Sequence, residues 1–262
     1  MAYRDVDASP TAWREYGSAD AVAVFLHGLG GSRIAWRPQG EALSDIRRVV
    51  AWDAPGAGGS QRVDTCTFDA YANRALALAD VVSPDAHVDL VGMSFGGMIA
   101  QYAAAKAPER LRTMVLLCTS PKFGLDGTDP VEWQARRLTG LETFGSTAAA
   151  APAILSSLAG PDAQHVVPEA SEAMARVTMD GLLDKIRTIT GHDSRAILPT
   201  IEVPTLVLVG ARDDETPPSY AEAIVDLMPN ARLEVIPDAG HLLNLEAPDA
   251  VNDAIRRHWE SA

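Results

Sequence analysis

The sequence predicts an α/β fold, a mostly parallel central sheet flanked by helices and interrupted by one helical insertion. Three observations predict it. Short apolar runs recur at 21–26, 48–52, 88–91, 113–118 and 205–209, and runs without alternation suit strands buried on both faces. Segments with helical spacing separate them, at 68–82, 95–107 and 219–228, and strands alternating with helices build a parallel sheet between helical layers. Residues 120–199 break that rhythm, with helical patterns and no comparable strand.

Taken in order, residues 3–7 and 11–16 alternate around Ser9-Pro10, which predicts an antiparallel hairpin. The run 21–26 ends in His27-Gly28-Leu29-Gly30-Gly31, and 48–52 ends in Asp53-Ala54-Pro55-Gly56. The run 88–91 ends in Gly92-Met93-Ser94-Phe95-Gly96-Gly97. The Ala-rich segment 95–107 stops before Pro108, which cannot continue a helix. Within the insertion, helical patterns cover 131–144, 147–158, 169–179 and 181–190, punctuated by Gly160-Pro161 and Pro168. The alternation resumes with 205–209, a helix near 219–228, a strand at 232–236 and a last helix near 248–259. Residues 1–119 and 200–262 are therefore expected to form the core, with 120–199 a helical cap between two strands.

Composition narrows the function. A chain of 262 residues with 47% hydrophobic and 22% charged residues can bury a sizeable core. Its net charge of −13 argues against nucleic acid or an anionic membrane as partner. No run approaches the roughly 20 apolar residues that span a bilayer. The opening Met1-Ala2-Tyr3-Arg4-Asp5 lacks a basic and apolar leader, so the expected location is cytoplasmic. Two cysteines, Cys66 and Cys118, are too few for a disulfide scaffold, and Cys118 reads as a core thiol. Homo-oligomer formation is left open.

The chemistry-bearing residues cluster at strand ends. Gly92-Met93-Ser94-Phe95-Gly96 is a G-x-S-x-G motif where a buried strand turns into a helix, a turn that exposes the serine Oγ above the sheet. A serine hydroxyl is a poor nucleophile without a base. His241 follows a strand and precedes the last helix, which places it at the same carboxyl edge. His87 lies at the opposite edge, His258 late in a helix, and His165 and His192 in the insertion. Asp213, in Gly210-Ala211-Arg212-Asp213, is the candidate to orient that base, with Asp214 its close competitor. The backbone N–H groups of Leu29 and Phe95 are candidate donors to an oxyanion. His27 reads as structural. The Asp53–Gly58 turn lacks the G-x-G-x-x-G spacing of a dinucleotide site, and no His/Cys cluster has metal-ligand spacing, so neither cofactor nor metal is expected.

His27-Gly28, the 92–97 elbow, Gly210-x-x-Asp213 and Gly240-His241 resemble the α/β-hydrolase superfamily across essentially the whole chain. Gly96-Gly97-Met98, residues 107–110, residues 116–119, Thr216-Pro217-Pro218 and His241-Leu242-x-Asn244-Leu245-Glu246 look like those of 3-oxoadipate enol-lactonases and related esterases. The chain departs from these at Ala54-Pro55-Gly56-Ala57, where the relatives often carry an Arg-Gly-His turn. The resemblance implies a serine hydrolase cleaving a small ester or lactone through an acyl-enzyme on Ser94, with no cofactor. Carbon–carbon bond hydrolases and perhydrolases share this arrangement, and a ligand receptor retaining the fold is the alternative outside catalysis. Candidate substrate contacts in the cap are Phe123, Trp133, Leu138, Met174, Met179 and Ile186, each alternatively ordinary packing. Arg33, beside the oxyanion loop, is a candidate partner for a substrate carboxylate or else a surface residue.

Overall fold

The computed structural model describes residues 3–261. Met1 and Ala2, part of the segment read for a leader, and Ala262 lie outside the described residues. Among the described residues no helix is long and apolar enough to cross a membrane.

Eight strands form one sheet: β1 (Tyr3–Asp7), β2 (Ala12–Tyr16), β3 (Val22–Leu26), β4 (Arg48–Trp52), β5 (Val88–Met93), β6 (Leu111–Leu117), β7 (Thr205–Gly210) and β8 (Ala231–Ile236). Their order is β1-β2-β4-β3-β5-β6-β7-β8. The expected hairpin is present: β1 pairs antiparallel with β2, and β2 antiparallel with β4. All later pairings are parallel. The chain runs outward from β3 to β4, then crosses back over β3 to β5. Right-handed crossovers in opposite directions place helices on opposite faces. Helix α1 (Arg37–Leu43) therefore lies on one face, joined there by α9 (Leu243–Glu246) and α10 (Pro248–Ser261). Helices α2 (Phe68–Val82), α3 (Phe95–Lys106) and α8 (Pro218–Leu227) cover the other.

The continuous apolar runs are what this sandwich requires. Along β3, Val22, Val24 and Leu26 enter one core with Tyr71 and Ile99. Ala23 and Phe25 enter the other with Trp36 and Trp259. Helix α2 buries Phe68, Tyr71, Ala72, Ala75, Leu78, Ala79 and Val82, a stripe at helical spacing, and Thr67 caps it by accepting from the Ala70 N–H. Helix α3 is buried nearly all round, which its small Ala and Gly residues permit.

Between β6 and β7 the chain is helical: α4 (Pro130–Phe144), α5 (Thr147–Leu158), α6 (Val167–Met174) and α7 (Met179–Ile189). The pattern at 169–179 predicted one helix, but α6 stops at Met174. Residues beyond it turn back onto the core: the Gly58 N–H donates to the Arg176 carbonyl, the Thr178 N–H donates to the Gly56 carbonyl, and Val177 bridges Ala57. Gly56 and Gly181 then meet so closely that a Cβ on Gly181 would lie 2.2 Å from the Gly56 oxygen.

Arg33 is not a surface residue, and its guanidinium is engaged within the protein. It is buried, donates to Asp7 Oδ1 at 2.8 Å and to the Trp13 carbonyl at 3.2 Å, and lies 3.5 Å from the fully buried Asp53. The Asp53 Oδ1 accepts the Arg33 N–H and its Oδ2 the Gly59 N–H. This cluster pins the N-terminal hairpin to the loop after β4. Removing one partner of a buried ion pair leaves the other charge uncompensated, so Arg33→Met is expected to cost about 3 kcal/mol. Urea unfolding checks it; a loss below about 1 kcal/mol, the scale of a surface pair, would contradict the assignment.

Candidate active site

The site is built on the carboxyl ends of β3, β5, β7 and β8. At the end of β5 the chain turns so sharply into α3 that Ser94 takes φ 53 and ψ −120, a region strained for any residue with a side chain. The turn closes only because its flanks are bare. A Cβ on Gly92 would lie 2.5 Å from the Gly96 carbonyl oxygen, and a Cβ on Gly96 would lie 2.1 Å from that of Leu26. The Ser94 N–H donates to the Leu117 carbonyl at 2.8 Å, and Thr119 Oγ1 donates to the Ser94 carbonyl at 2.8 Å. The backbone is thereby locked while Oγ faces the cavity.

His241 Nε2 lies 3.1 Å from Ser94 Oγ. Its Nδ1 lies 2.9 Å from Asp213 Oδ2 and 3.1 Å from Oδ1. Asp213 is 2% exposed, whereas Asp214 is exposed and makes no contact with the ring, so geometry separates the two neighbours that the sequence left in competition. The Asp213 carboxylate also accepts from the N–H groups of Glu215 and Thr216 and from Thr216 Oγ1. Burial alone would raise the Asp213 pKa, yet the facing imidazole and these donors hold it below its ordinary value. For His241 burial disfavours the charged ring, but the Asp213 carboxylate outweighs it and raises the pKa. The loop carrying His241 is braced by Glu246, which accepts from the N–H groups of Gly240 at 2.7 Å and Leu242 at 2.9 Å.

The Leu29 and Phe95 amides donate no hydrogen bond to another protein group among the described residues. Phe95 opens α3, so its N–H also carries the positive end of the helix dipole. His27 holds the loop bearing Leu29: its Nε2 accepts the Ala54 N–H at 2.9 Å, which leaves Nδ1 to donate to the Gly28 carbonyl at 2.8 Å. Full burial, aided by the Lys185 charge, pushes its pKa down to about 3, so the ring is neutral. Cys118 Sγ lies within 4.8 Å of ligand atoms of Asp213 and His241, a metal-like grouping. Those atoms are engaged in the hydrogen bonds above, and burial raises the Cys118 pKa so that it stays a thiol. The grouping fits a hydrogen-bonded relay better than an ion.

A cavity of about 130 Å³ opens beside Ser94 and His241. Its walls are apolar, from Leu141, Ile154, Leu155 and Leu158 on α4 and α5 and from Leu242 and Leu245 beside His241. Of the expected cap contacts, Trp133, Met174 and Ile186 line it. Phe123 lines a second, polar cavity that also reaches Ser94. Leu138 and Met179 line neither and pack against the apolar core. Sequence reasoning missed Arg137 and Glu215, which line both cavities, and the braces Thr216 and Glu246. The strings Thr216-Pro217-Pro218 and His241 to Glu246 carried a signal for the two braces.

Comparison with known proteins follows the same lines. Residues 23–254 match the alpha/beta hydrolase family. The chain is 32% identical over 247 residues to polyketide synthase ThaQ of Burkholderia thailandensis, covering 91% of this chain but 12% of that relative. It is 29% identical to 3-oxoadipate enol-lactonase 2 of Acinetobacter baylyi, over 92% of this chain and 89% of the relative. A solved hydrolase from Pseudomonas aeruginosa PA01 superposes with a TM-score of 0.86 at 27% identity, over 98% of both chains.

The pairing of His241 with Asp213 predicts a titration. Followed by ring-proton NMR, His241 should titrate above the ordinary histidine value, since the ionised carboxylate favours imidazolium. Asp213→Asn removes that charge and leaves burial opposed only by the weaker influence of the Glu215 and Glu246 carboxylates, so the midpoint should fall. A midpoint unmoved by the substitution would show that the pair is not coupled.

Proposed function

Because the chain belongs to the alpha/beta hydrolase family, we propose that it is a serine hydrolase acting on a small ester or lactone with an apolar acyl group. The single observation that carries this reading is the aligned set of Ser94 Oγ, His241 Nε2 at 3.1 Å, and His241 Nδ1 at 2.9 Å from buried Asp213.

Ser94 Oγ attacks the carbonyl carbon as its proton passes to His241 Nε2. The carbonyl oxygen becomes an oxyanion that accepts from the Leu29 and Phe95 N–H groups. Each such donor contributes about 10²–10³ in rate, because it is already oriented. Asp213 keeps the proton of the neutral ring on Nδ1 and stabilises the imidazolium. His241 then hands its proton to the leaving oxygen, and the acyl–oxygen bond breaks to leave an acyl-Ser94. A water, deprotonated by the same nitrogen, attacks the acyl carbon; the acid departs and Ser94 regains its proton.

Helices α4–α7 act as a cap over this centre. Their apolar walls exclude water from the acyl group, which strengthens each interaction at the reacting carbonyl. They offer no unpaired charge to the acyl side: Arg137 and Glu215, at its edge, neutralise each other at 2.8 Å. An aliphatic or cyclic acyl group suits those walls. Likeness to the enol-lactonase of Acinetobacter baylyi supports an ester or lactone carbonyl as the target.

Intact mass after exposure to a fluorophosphonate, beside turnover of p-nitrophenyl butyrate and small lactones, tests the reading. One adduct on Ser94 is expected. Ser94→Ala should take none and lose about 10⁶ in kcat, and Asp213→Asn about 10⁴. Equal turnover by Ser94→Ala in a folded sample would overturn it.

A further inference from the structure

Two cavities meet at Ser94, and they differ in chemistry. The apolar one lies under α4, α5 and α6. The other, about 430 Å³, carries Lys122, Arg136 and Arg137 against Asp126, Asp214 and Glu215. Ser94, Trp133, Arg137, Ile189 and Glu215 line both, so these side chains form the boundary. The Arg137 guanidinium donates to Glu215 Oε1 at 2.8 Å and Oε2 at 3.1 Å, and its centre sits 5.0 Å from the Trp133 ring. Arg137 belongs to the cap helix α4. Glu215 belongs to the loop after β7, where its N–H holds Asp213.

We propose that Arg137 is a specificity-determining residue that exchanges Glu215 for an anionic group on the alcohol half of the substrate, so the enzyme prefers esters of an apolar acid with a carboxylate-bearing alcohol. The proposal rests on the hydrolase reading above. Arg137 forms and breaks no covalent bond.

Four observations support it. The polar compartment is the open one: Asp126, Arg136, Asp214 and Glu215 are exposed, while most of the apolar walls are buried. The alcohol leaves while the acyl group is still attached to Ser94, so the alcohol occupies the half with a route out. The charges there balance: Lys122, Arg136 and Arg137 offset Asp126, Asp214 and Glu215, and among the described residues no hydrogen bond or ion pair engages the Lys122 ammonium or the Arg136 guanidinium, so cations are available to an incoming anion. Finally, the Arg137–Glu215 pair is exchangeable. Its side chains are 27% and 35% exposed, and a pair this open to solvent contributes little net stability. A guanidinium resting on an indole keeps its plane when the carboxylate partner changes. The net charge of −13 does not oppose this, because a nearby cation outweighs a distant, screened field.

The test compares 4-carboxyphenyl butyrate with 4-carbamoylphenyl butyrate, whose leaving groups match in size and differ in charge. The wild-type enzyme should favour the carboxylate by about tenfold in kcat/KM, mostly through KM, the scale of one charge-assisted hydrogen bond. In Arg137→Met that ratio should fall to about one, since the guanidinium is gone. In Glu215→Gln it should rise at least about threefold, because the competing carboxylate is removed. A wild-type ratio near one, or a wild-type ratio retained by Arg137→Met, overturns the proposal. If Arg137→Met does not fold, Glu215→Gln decides alone, and an unchanged or lower ratio overturns it. Turnover of neither ester with no fluorophosphonate adduct on Ser94 would instead overturn the hydrolase reading, and the specificity proposal with it.

Discussion

The strained backbone at Ser94 is the constraint on which the rest of the structure depends. A residue with a side chain at φ 53 costs about 1–3 kcal/mol and persists only where its surroundings over-determine it. Here they do. Strand β5 lies between β3 and β6 in the interior of the sheet, so its end cannot shift without breaking two parallel ladders. Gly92 and Gly96 admit close backbone contacts that a methyl group would abolish, and Gly97 lets Thr119 approach. The sheet holds a serine where its hydroxyl has one face free, beside a helix whose opening N–H, on Phe95, is unspent among the described residues.

Electrostatics then decides what that hydroxyl can do. A histidine and an aspartate buried together would each favour neutrality if alone. Four hydrogen-bond contacts to the Asp213 carboxylate, from His241, Thr216 N–H and Oγ1, and Glu215 N–H, keep it ionised. The ionised acid keeps the imidazole basic. The brace from Glu246 to the two amides flanking His241 acts on geometry, fixing the loop so that Nε2 remains within reach of Oγ.

Much of this was legible in the sequence because it is written locally. Continuous apolar runs, Gly-rich strand ends and helical stripes identify a buried parallel sheet, and residues at successive carboxyl ends of such a sheet must converge. Hence Ser94, Asp213 and His241 could be named, although the sequence preferred Asp213 to Asp214 on motif spacing alone and only the actual turn separates them. What was illegible depends on contacts distant in sequence. Arg33 was read as a possible substrate contact because its neighbours in sequence are the oxyanion-loop glycines; its partners Asp5, Asp7 and Asp53 lie elsewhere. Helix α4 carries apolar residues at several angles, so nothing in its pattern says that Leu141 faces the cavity and Leu138 does not. The early end of α6 has the same origin, since the core loop at 56–58 takes over the backbone groups a longer helix would have used.

That loop also makes the attachment of helices α4–α7 uneven. On the α7 side, backbone hydrogen bonds tie 176 and 178 to 58 and 56, and Gly56 meets Gly181 at a distance only glycines allow. Main-chain links of this kind resist sliding, because any displacement breaks them together. On the α4 side, the loop that holds Asp213 is linked by the side-chain pair Arg137–Glu215, about a third exposed and replaceable by solvent or by another anion. Under the hydrolase reading proposed above, substrate entry requires some part of α4–α7 to yield, and the yielding is cheapest where no backbone hydrogen bond is lost. The α4 edge is that place. Arg137 and Glu215 stand there between the two compartments and touch the loop that holds Asp213, so under the specificity proposal the anion that opens the edge is also the one Arg137 recognises.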